Sequence, residues 1–177
     1  MNFCLTCHAD AGDDAPQMND CNICHETQLA MNAGIGIYEL PATPSLMYGS
    51  AAADMTCTDC HTGVTKGVYR PSSETCTDCH EDDSYKDVFN EWAETTKARV
   101  ESLKEMRVEL EAALLDADAA KRNTAEAWAT YEKALRNLKF VRNDGTHGVH
   151  NNEYALVILD SVSADFKEVM TQLDSVW

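Results

Sequence analysis

One pentapeptide of the form Cys-x-x-Cys-His occurs four times in the first 80 residues, and it constrains the fold more than any other feature of the chain. This spacing is the attachment signature of c-type haem. Two thiols three positions apart each add to one vinyl group of a single porphyrin, and the adjoining histidine reaches the iron as its proximal ligand. The predicted attachment residues are Cys4, Cys7, Cys21, Cys24, Cys57, Cys60, Cys76 and Cys79, and the predicted proximal ligands are His8, His25, His61 and His80.

A Cys-x-x-Cys pair by itself is also typical of zinc sites, thiol–disulfide redox centres and disulfide frameworks. None of these requires a histidine directly after the second cysteine. In this chain all four pairs carry that histidine, and the four motifs use all eight cysteines. The sequence therefore predicts four covalently bound haem c groups, with zinc binding as the alternative.

The chain is strongly acidic, with a formal net charge of −16 from 30 acidic and 14 basic side chains. This charge excludes a nucleic-acid-binding function and disfavours binding to an anionic membrane surface. It favours cationic partners, so we expect redox partner proteins that present basic patches. The first 80 residues also contain few large aliphatic side chains, so we expect the haems to supply the apolar core of this part.

The position of the chain in the cell follows from its cofactor. Covalent haem attachment normally takes place outside the cytoplasm, and no apolar run reaches the roughly 20 residues of a membrane span. Cys4 follows Met1 too closely for a signal peptide to precede it. We therefore expect an exported protein, periplasmic or extracellular, that is either a mature form or a piece of a longer multihaem protein or complex.

The four motifs form two pairs within a predicted tetrahaem-binding region, residues 1–84. Twelve residues separate His8 from Cys21, and fourteen separate His61 from Cys76. These di-haem repeats, residues 1–26 and 57–81, are so short that neighbouring haems must lie close together, which favours electron hopping. In the connecting segment, residues 26–56, Gly34, Gly36, Pro41 and Pro44 lie close together. The segment is predicted to be irregular and to wrap around the haems.

A second region, residues 85–177, is predicted to be helical. No glycine or proline occurs from Ser72 to Asp144. Apolar or small residues recur at helical spacing on a first stripe, with Arg99 as its one charged interruption. We predict a helical hairpin over about 85–142, with helices at roughly 85–115 and 121–142 and with Asp118, Asn123 or Thr124 as the cap between them. One continuous helix is the alternative. The first stripe comprises Phe89, Trp92, Thr96, Leu103, Met106, Leu110, Ala113 and Ala117.

A ligand loop, residues 143–151, follows the hairpin because Asn143-Asp144-Gly145 is a helix stop. The last helix is predicted over about 152–175, with Asn151 or Asn152 as its N-cap. No segment shows the alternation of a strand. The predicted fold class is all-α: a haem-cored, loop-rich N-terminal region followed by a long helical hairpin and a C-terminal helix.

The number of histidines is too small for four six-coordinate haems. Eight axial positions need ligands, the motifs supply four, and His147 and His150 are the remaining histidines of the chain. Both lie in the loop before the last helix and are predicted iron ligands. Met47, and after it Met31, is the leading candidate for a thioether ligand, which raises the haem potential relative to a second histidine. Water, a substrate or another chain can fill a position that no residue of this chain fills.

The acidic hairpin followed by Gly148-Val149-His150-Asn151 and then Tyr154-Ala155 resembles the C-terminal part of multihaem cytochromes c. These are the cytochromes of the nitrite reductase and hydroxylamine oxidoreductase superfamily and their electron-transfer relatives. The connecting segment, with Gly34-Ile35-Gly36 and Pro44-Ser45-Leu46-Met47-Tyr48, looks like that of tetrahaem members. The resemblance implies that the long helices pack beside the haems, often at a subunit interface, and that His150 binds a haem iron.

The sequence departs from the enzymes of that superfamily in two ways. It has no Cys-x-x-Cys-Lys motif, which many of the nitrite reductases use at the catalytic haem, and it has four haem motifs where the enzymes have more. We therefore expect electron transfer between exported redox partners and no catalytic residues. An enzyme that reduces or oxidises a small nitrogen compound or peroxide at an open-coordinate haem is one alternative. A subunit of a larger cytochrome assembly or filament, including a homo-oligomer formed through the long helices, is the other.

Overall fold

The computed structural model describes residues 25–37, 39–45, 57–61 and 70–175. The first haem motif, the cysteines of the second and Met47 lie outside the described residues. Those described form six α-helices and no strand, which confirms the all-α fold class for this part of the chain. The helices are α1 (Glu26–Ala33), α2 (Cys57–Cys60), α3 (Ser73–Cys76), α4 (Ser84–Ala119), α5 (Ala125–Asp144) and α6 (Asn152–Ser175).

The predicted hairpin is present as α4 and α5, and the alternative of one continuous helix is wrong. Helix α4 runs four residues beyond the predicted end at 115, because Asp116–Ala119 contains no helix breaker. The chain then turns through residues 120–124, and Thr124 is the N-cap residue of α5. Asp118 lies inside α4 and is not a cap. Its carboxylate instead accepts hydrogen bonds from the hydroxyl of Thr124 and from the indole of Trp128, at 2.8 Å, and so ties the two helices together.

Helix α6 lies between the other two long helices and forms the centre of the core. It packs antiparallel to α5, where Lys133 pairs with Asp165, and parallel to α4, where Arg99 pairs with Asp160 at 2.6 Å. Its buried side chains repeat at helical spacing, as the apolar stripe predicted. They are Tyr154, Ala155, Ile158, Leu159, Val162, Phe166, Val169 and Leu173.

The first predicted stripe is only partly correct. Thr96, Leu103, Leu110 and Ala117 are buried in α4, and Phe89, Trp92 and Met106 are half-buried. Ala113 is exposed, and Leu114 beside it is fully buried. The reason is that a strict seven-residue repeat drifts around a straight helix of 3.6 residues per turn, so neighbouring positions replace the predicted ones along a helix this long.

The connecting segment is more regular than its composition predicted. Residues 26–33 form α1, and the expectation of irregular structure is wrong for them, because the first glycine of the segment is Gly34. Gly34 ends the helix with φ of +66°, and residues 34–37 and 39–45 then follow an irregular path. A Cβ on Gly34 would lie 1.8 Å from the carbonyl oxygen of Thr43, and one on Gly36 would lie 2.7 Å from the ring of Phe140. Both glycines therefore allow close packing within the protein.

The long helices are amphipathic. Among the residues that the structure describes, no helix is both long and apolar enough to cross a membrane.

Candidate metal centre

The third and fourth motifs share one backbone hydrogen bond. In each, a four-residue helix carries the first cysteine, and the amide of the motif histidine donates a hydrogen bond to the carbonyl of that cysteine. The distance is 2.8 Å from His61 to Cys57 and 2.9 Å from His80 to Cys76. One helical turn thus brings the histidine back beside its own cysteines, as attachment of one porphyrin to both thiols and the imidazole requires.

Two thiols of these motifs have raised pKa values. Burial, followed by the charge of Cys76, raises the pKa of Cys60, and Cys79 and Cys57 contribute in the same direction. Burial also raises the pKa of Cys76. Both shifts favour the protonated thiol over the thiolate.

His150 is oriented by a buried carboxylate. Its Nδ1 lies 2.6 Å from Oδ1 of Asp144, the last residue of α5, whose side chain is 0% exposed. The other carboxylate oxygen of Asp144 accepts hydrogen bonds from the amide and the hydroxyl of Thr146. An ionised carboxylate only accepts hydrogen bonds, so in a neutral His150 beside it Nδ1 would carry the proton and Nε2 the lone pair. This is the arrangement in which a histidine binds a metal through Nε2.

His61 and His150 are brought together although their positions are 89 apart in the sequence. Their ring centroids are 6.2 Å apart and their planes are inclined by 45°. Two bonds of about 2 Å from imidazole nitrogens to one metal, with each nitrogen about 1 Å from its ring centroid, give a separation of about 6 Å. The spacing therefore fits two axial imidazoles on one iron, and the residues present fit the predicted haem.

His80, the predicted proximal ligand of the fourth motif, is stacked on Tyr85. The two ring centroids are 3.7 Å apart and the planes differ by 10°. Tyr85 lies in the first turn of α4, and Lys86 beside it pairs with Glu74 of α3 at 2.7 Å. These contacts fix the fourth motif against the start of the long helix.

The histidine turn, residues 145–151, is anchored on three sides. Asn151 donates from its side chain to the carbonyls of Met31 and Thr43, at 3.1 and 2.7 Å, and its Oδ1 accepts from the amide of Tyr154 at 3.0 Å. It is thus the N-cap of α6, as predicted. Gln28 of α1 donates to the carbonyl of Asp144 at 3.1 Å. Since Gln28 lies three residues after His25, the second motif ends next to the same turn.

The structure also describes two other predicted iron ligands, His147 and Met31. His147 is exposed and has a positive φ of 55°. Met31 is fully buried in the hydrophobic core, where its described role is packing. The assignment of His147, Met31 and Met47 as iron ligands stays a prediction. So does the assignment of the four motif histidines and His150 as iron ligands and of the eight cysteines as attachment residues. In the described ranges, no group of three or more His, Cys, Asp or Glu side chains is arranged to hold a bare metal ion.

A cleft of about 230 Å³ opens beside His150. Trp92 of α4, Ser45 of the connecting segment and Glu153 of α6 line it together with residues 149–152. His150 lines this cleft, and its side chain is 22% exposed. Trp92 is half-buried beside this cleft, and Trp128 is half-buried at the α4–α5 turn.

Sequence reasoning missed the residues that support the two histidines. Asp144 was recognised as part of a helix stop, whereas its side chain is the partner of His150. Gln28 and Tyr85 carried no signal at all. An acidic residue six positions before a candidate ligand histidine, across a glycine-containing turn, is the one local pattern that could have indicated the Asp144–His150 pair.

Comparison with protein-family profiles and with curated protein sequences gives no match for the chain. Comparison with solved structures gives a similar fold in the crystal structure of the outer cell wall cytochrome OcwA. The TM-score is 0.59, the sequence identity is 24%, and the similarity covers 92% of this chain and 39% of that chain. This chain therefore spans well under half the length of that cytochrome, and at this level of identity the similarity establishes that the two share a fold.

Proposed function

We propose that this chain transfers electrons through four closely spaced, covalently bound c-type haems. The observation that carries the proposal is the pair of histidines: the ring centroid of His61, from a haem motif, lies 6.2 Å from that of His150, a spacing that fits two ligands of one iron. The four complete motifs and a fold shared with a cytochrome support it. When bound, the haem irons each take up and release one electron.

The protein holds and orients these groups. His61 and His150 would hold the iron of the third motif, with Asp144 orienting the ring of His150. Helix α2 contains both cysteines of the third motif, and α3 ends at the first cysteine of the fourth. The short sequence between these two motifs favours a short edge-to-edge distance between the third and fourth haems, and therefore fast electron transfer between them.

The setting of this electron transfer is part of the same proposal. We infer an exported location, periplasmic or extracellular, from the haem motifs and from the similarity to a cytochrome of the outer cell wall. The chain's extent, 39% of that cytochrome, agrees with a piece of a longer multihaem protein. The acidic charge favours redox partners with basic patches. Membership of the nitrite reductase and hydroxylamine oxidoreductase superfamily, and assembly into a homo-oligomer through the long helices, stay predictions.

The haem content can be measured directly. Pyridine haemochrome absorbance per mole of the exported protein should correspond to four haems, and intact mass should increase by four haem groups. Stoichiometric zinc, or reactive thiols after denaturation, would contradict the cofactor assignment.

The axial pair is tested by the His150→Ala substitution. All four haems should remain attached, because the cysteines are untouched, but one low-spin iron should become high-spin in low-temperature electron paramagnetic resonance spectra. Glu153→Ala is the matched control, since Glu153 lines the same cleft but its exposed carboxylate is no candidate ligand. Unchanged spectra in both variants would show that His150 binds no iron.

An enzymatic function is the second candidate, because six histidines cannot fill the eight axial positions of four haems. An open-coordinate haem would appear as a high-spin signal in the unaltered protein and would bind nitrite, hydroxylamine or peroxide with a spectral change. Electron transfer predicts that these small molecules leave the spectra of the His61–His150 haem unchanged.

A further inference from the structure

We propose that Asp144 is a positioning residue that fixes His150 as an axial ligand and lowers the reduction potential of the haem held between His61 and His150. This inference rests on the proposed function, since it assumes a haem at that position. It goes beyond the haem assignment because it gives one of the four haems a distinct electrochemical character, set by a residue outside every motif.

The first observation is the burial of the carboxylate. The Asp144 side chain is 0% exposed, and its partners are donors: Nδ1 of His150, and the amide and hydroxyl of Thr146. All of these contacts can therefore form with the ionised carboxylate. Among the described residues, His150 is the basic side chain with which Asp144 is paired. A buried negative charge is weakly screened, so it acts strongly on a charge that changes nearby.

The second observation is the direction of the His150 ring. A hydrogen bond of 2.6 Å between Nδ1 and Oδ1 of Asp144 fixes the tautomer and sets the rotation of the ring. It also draws the Nδ1 proton toward the carboxylate, which makes Nε2 a stronger electron donor. Both effects, the charge and the stronger donor, stabilise the oxidised iron over the reduced iron. The potential of this haem is therefore lowered.

The third observation is the rigidity of the support. The hydroxyl of Thr146 accepts a hydrogen bond from the amide of His150 at 3.3 Å, while the Thr146 side chain also binds Asp144. Gln28 holds the carbonyl of Asp144 from α1. The carboxylate and the imidazole are thus fixed relative to each other by the backbone of the same turn.

The test compares Asp144→Asn with Thr146→Val in the fully loaded protein. The asparagine keeps a side-chain oxygen that can accept from Nδ1 but removes the charge. The valine removes the hydroxyl contacts of the turn and keeps the charge. Spectroelectrochemical titration should show one of four potentials raised in Asp144→Asn, by about 59 mV or more, which corresponds to a tenfold change in a one-electron equilibrium. Thr146→Val should shift that potential much less.

Four outcomes would contradict the inference or the proposed function beneath it. If Asp144→Asn leaves all four potentials in place, or if Thr146→Val raises the same potential equally, Asp144 has a structural role only and the inference is wrong. If His150→Ala produces no high-spin iron, the ligand assignment in the proposed function fails first. Introduced into the His150→Ala protein, Asp144→Asn should raise the potential less than in the unaltered protein, because part of the effect passes through the ring. An equal shift would contradict the positioning role.

Discussion

Single side chains connect segments that are far apart in the sequence at the turn before α6. Asn151 pairs with carbonyls more than 100 residues earlier, at Met31 and Thr43. The hydroxyl of Tyr154, which is fully buried, accepts from the amide of Ile37 at 3.1 Å. Buried backbone groups that lose such a partner cost roughly 1–3 kcal/mol. These residues therefore hold the connecting segment against the helices.

Gly34→Ala should weaken this attachment. The alanine must adopt a φ of +66°, and its Cβ would lie 1.8 Å from the carbonyl oxygen of Thr43, the group that Asn151 binds. We expect a loss of more than about 2 kcal/mol in the free energy of unfolding, measured by chemical denaturation with circular dichroism.

Gly145→Ala is the matched control for this substitution. Gly145 also has a positive φ, of 76°, but a Cβ there would lie 4.0 Å from its nearest contact, the carbonyl oxygen of Asn143. It should cost only about 1 kcal/mol, the conformational part of the effect. Equal losses in the two variants would show that the close approach of Gly34 to Thr43 contributes nothing.

The three long helices depend on each other through the side chains between them. Tyr131 of α5 is 1% exposed, stacks on Phe166 of α6 and donates a hydrogen bond of 3.4 Å to the carbonyl of Arg107 in α4. Burial, and after it the charge of Glu111, raises the pKa of Tyr131 from 10.0 to about 12. The arrangement predicts a dependence of stability on alkaline pH.

Tyr131→Phe should remove that dependence. Below pH 10 the phenol is protonated in both the folded and the unfolded chain, so its contribution is fully present. Between pH 10 and about 12 the unfolded chain releases the proton and the folded chain keeps it, so the unaltered protein loses stability as the pH rises. The loss attributable to Tyr131 should reach roughly 2 kcal/mol by pH 12.

Denaturation curves of the two proteins at pH 8 and at several values above pH 10 measure this difference. The variant is its own control at pH 8, where only the long hydrogen bond to Arg107 is missing. Parallel stability curves throughout the alkaline range would contradict the raised pKa.

At the scale of the whole molecule, the described core belongs to the long helices. Most of its buried apolar side chains lie on α4, α5 and α6, and among the largest are Tyr131, Tyr154, Phe166 and Leu114. The segments that carry the described motifs, α2 and α3, contribute no large apolar side chain to this core. The helical part therefore has an apolar interior of its own.

A variant with all eight cysteines replaced by alanine should keep this helical part folded. We expect it to be exported without covalent haem, to retain strong helical circular dichroism, and to unfold in a cooperative transition at a lower temperature than the loaded protein. The stability supplied by haem binding would then be the difference between the two transitions. Loss of the helical signal in the variant would show that the haems are required for the long helices as well.

The sequence by itself determined the haem motifs, the all-α class and the existence of the long helices. Each depends on local information: fixed spacing of cysteine and histidine, the absence of glycine and proline, and apolar residues at helical intervals. The helix stop at Gly145 and the cap at Asn151 were predictable for the same reason, because their hydrogen bonds join residues a few positions apart.

Only the tertiary structure decided which residues meet. The pairing of His61 with His150, and the contact of Gln28 with Asp144, join positions 89 and 116 residues apart. No local pattern encodes such a contact, because it follows from how α5 and α6 pack and where their connecting turn is placed. The same holds for Arg99, which interrupts the apolar stripe of α4 in the sequence and is accommodated by Asp160 of α6 in the structure. The sequence thus predicted which residue types could act as ligands and where the helices lie. The packing of the helices determined which residues contact each other.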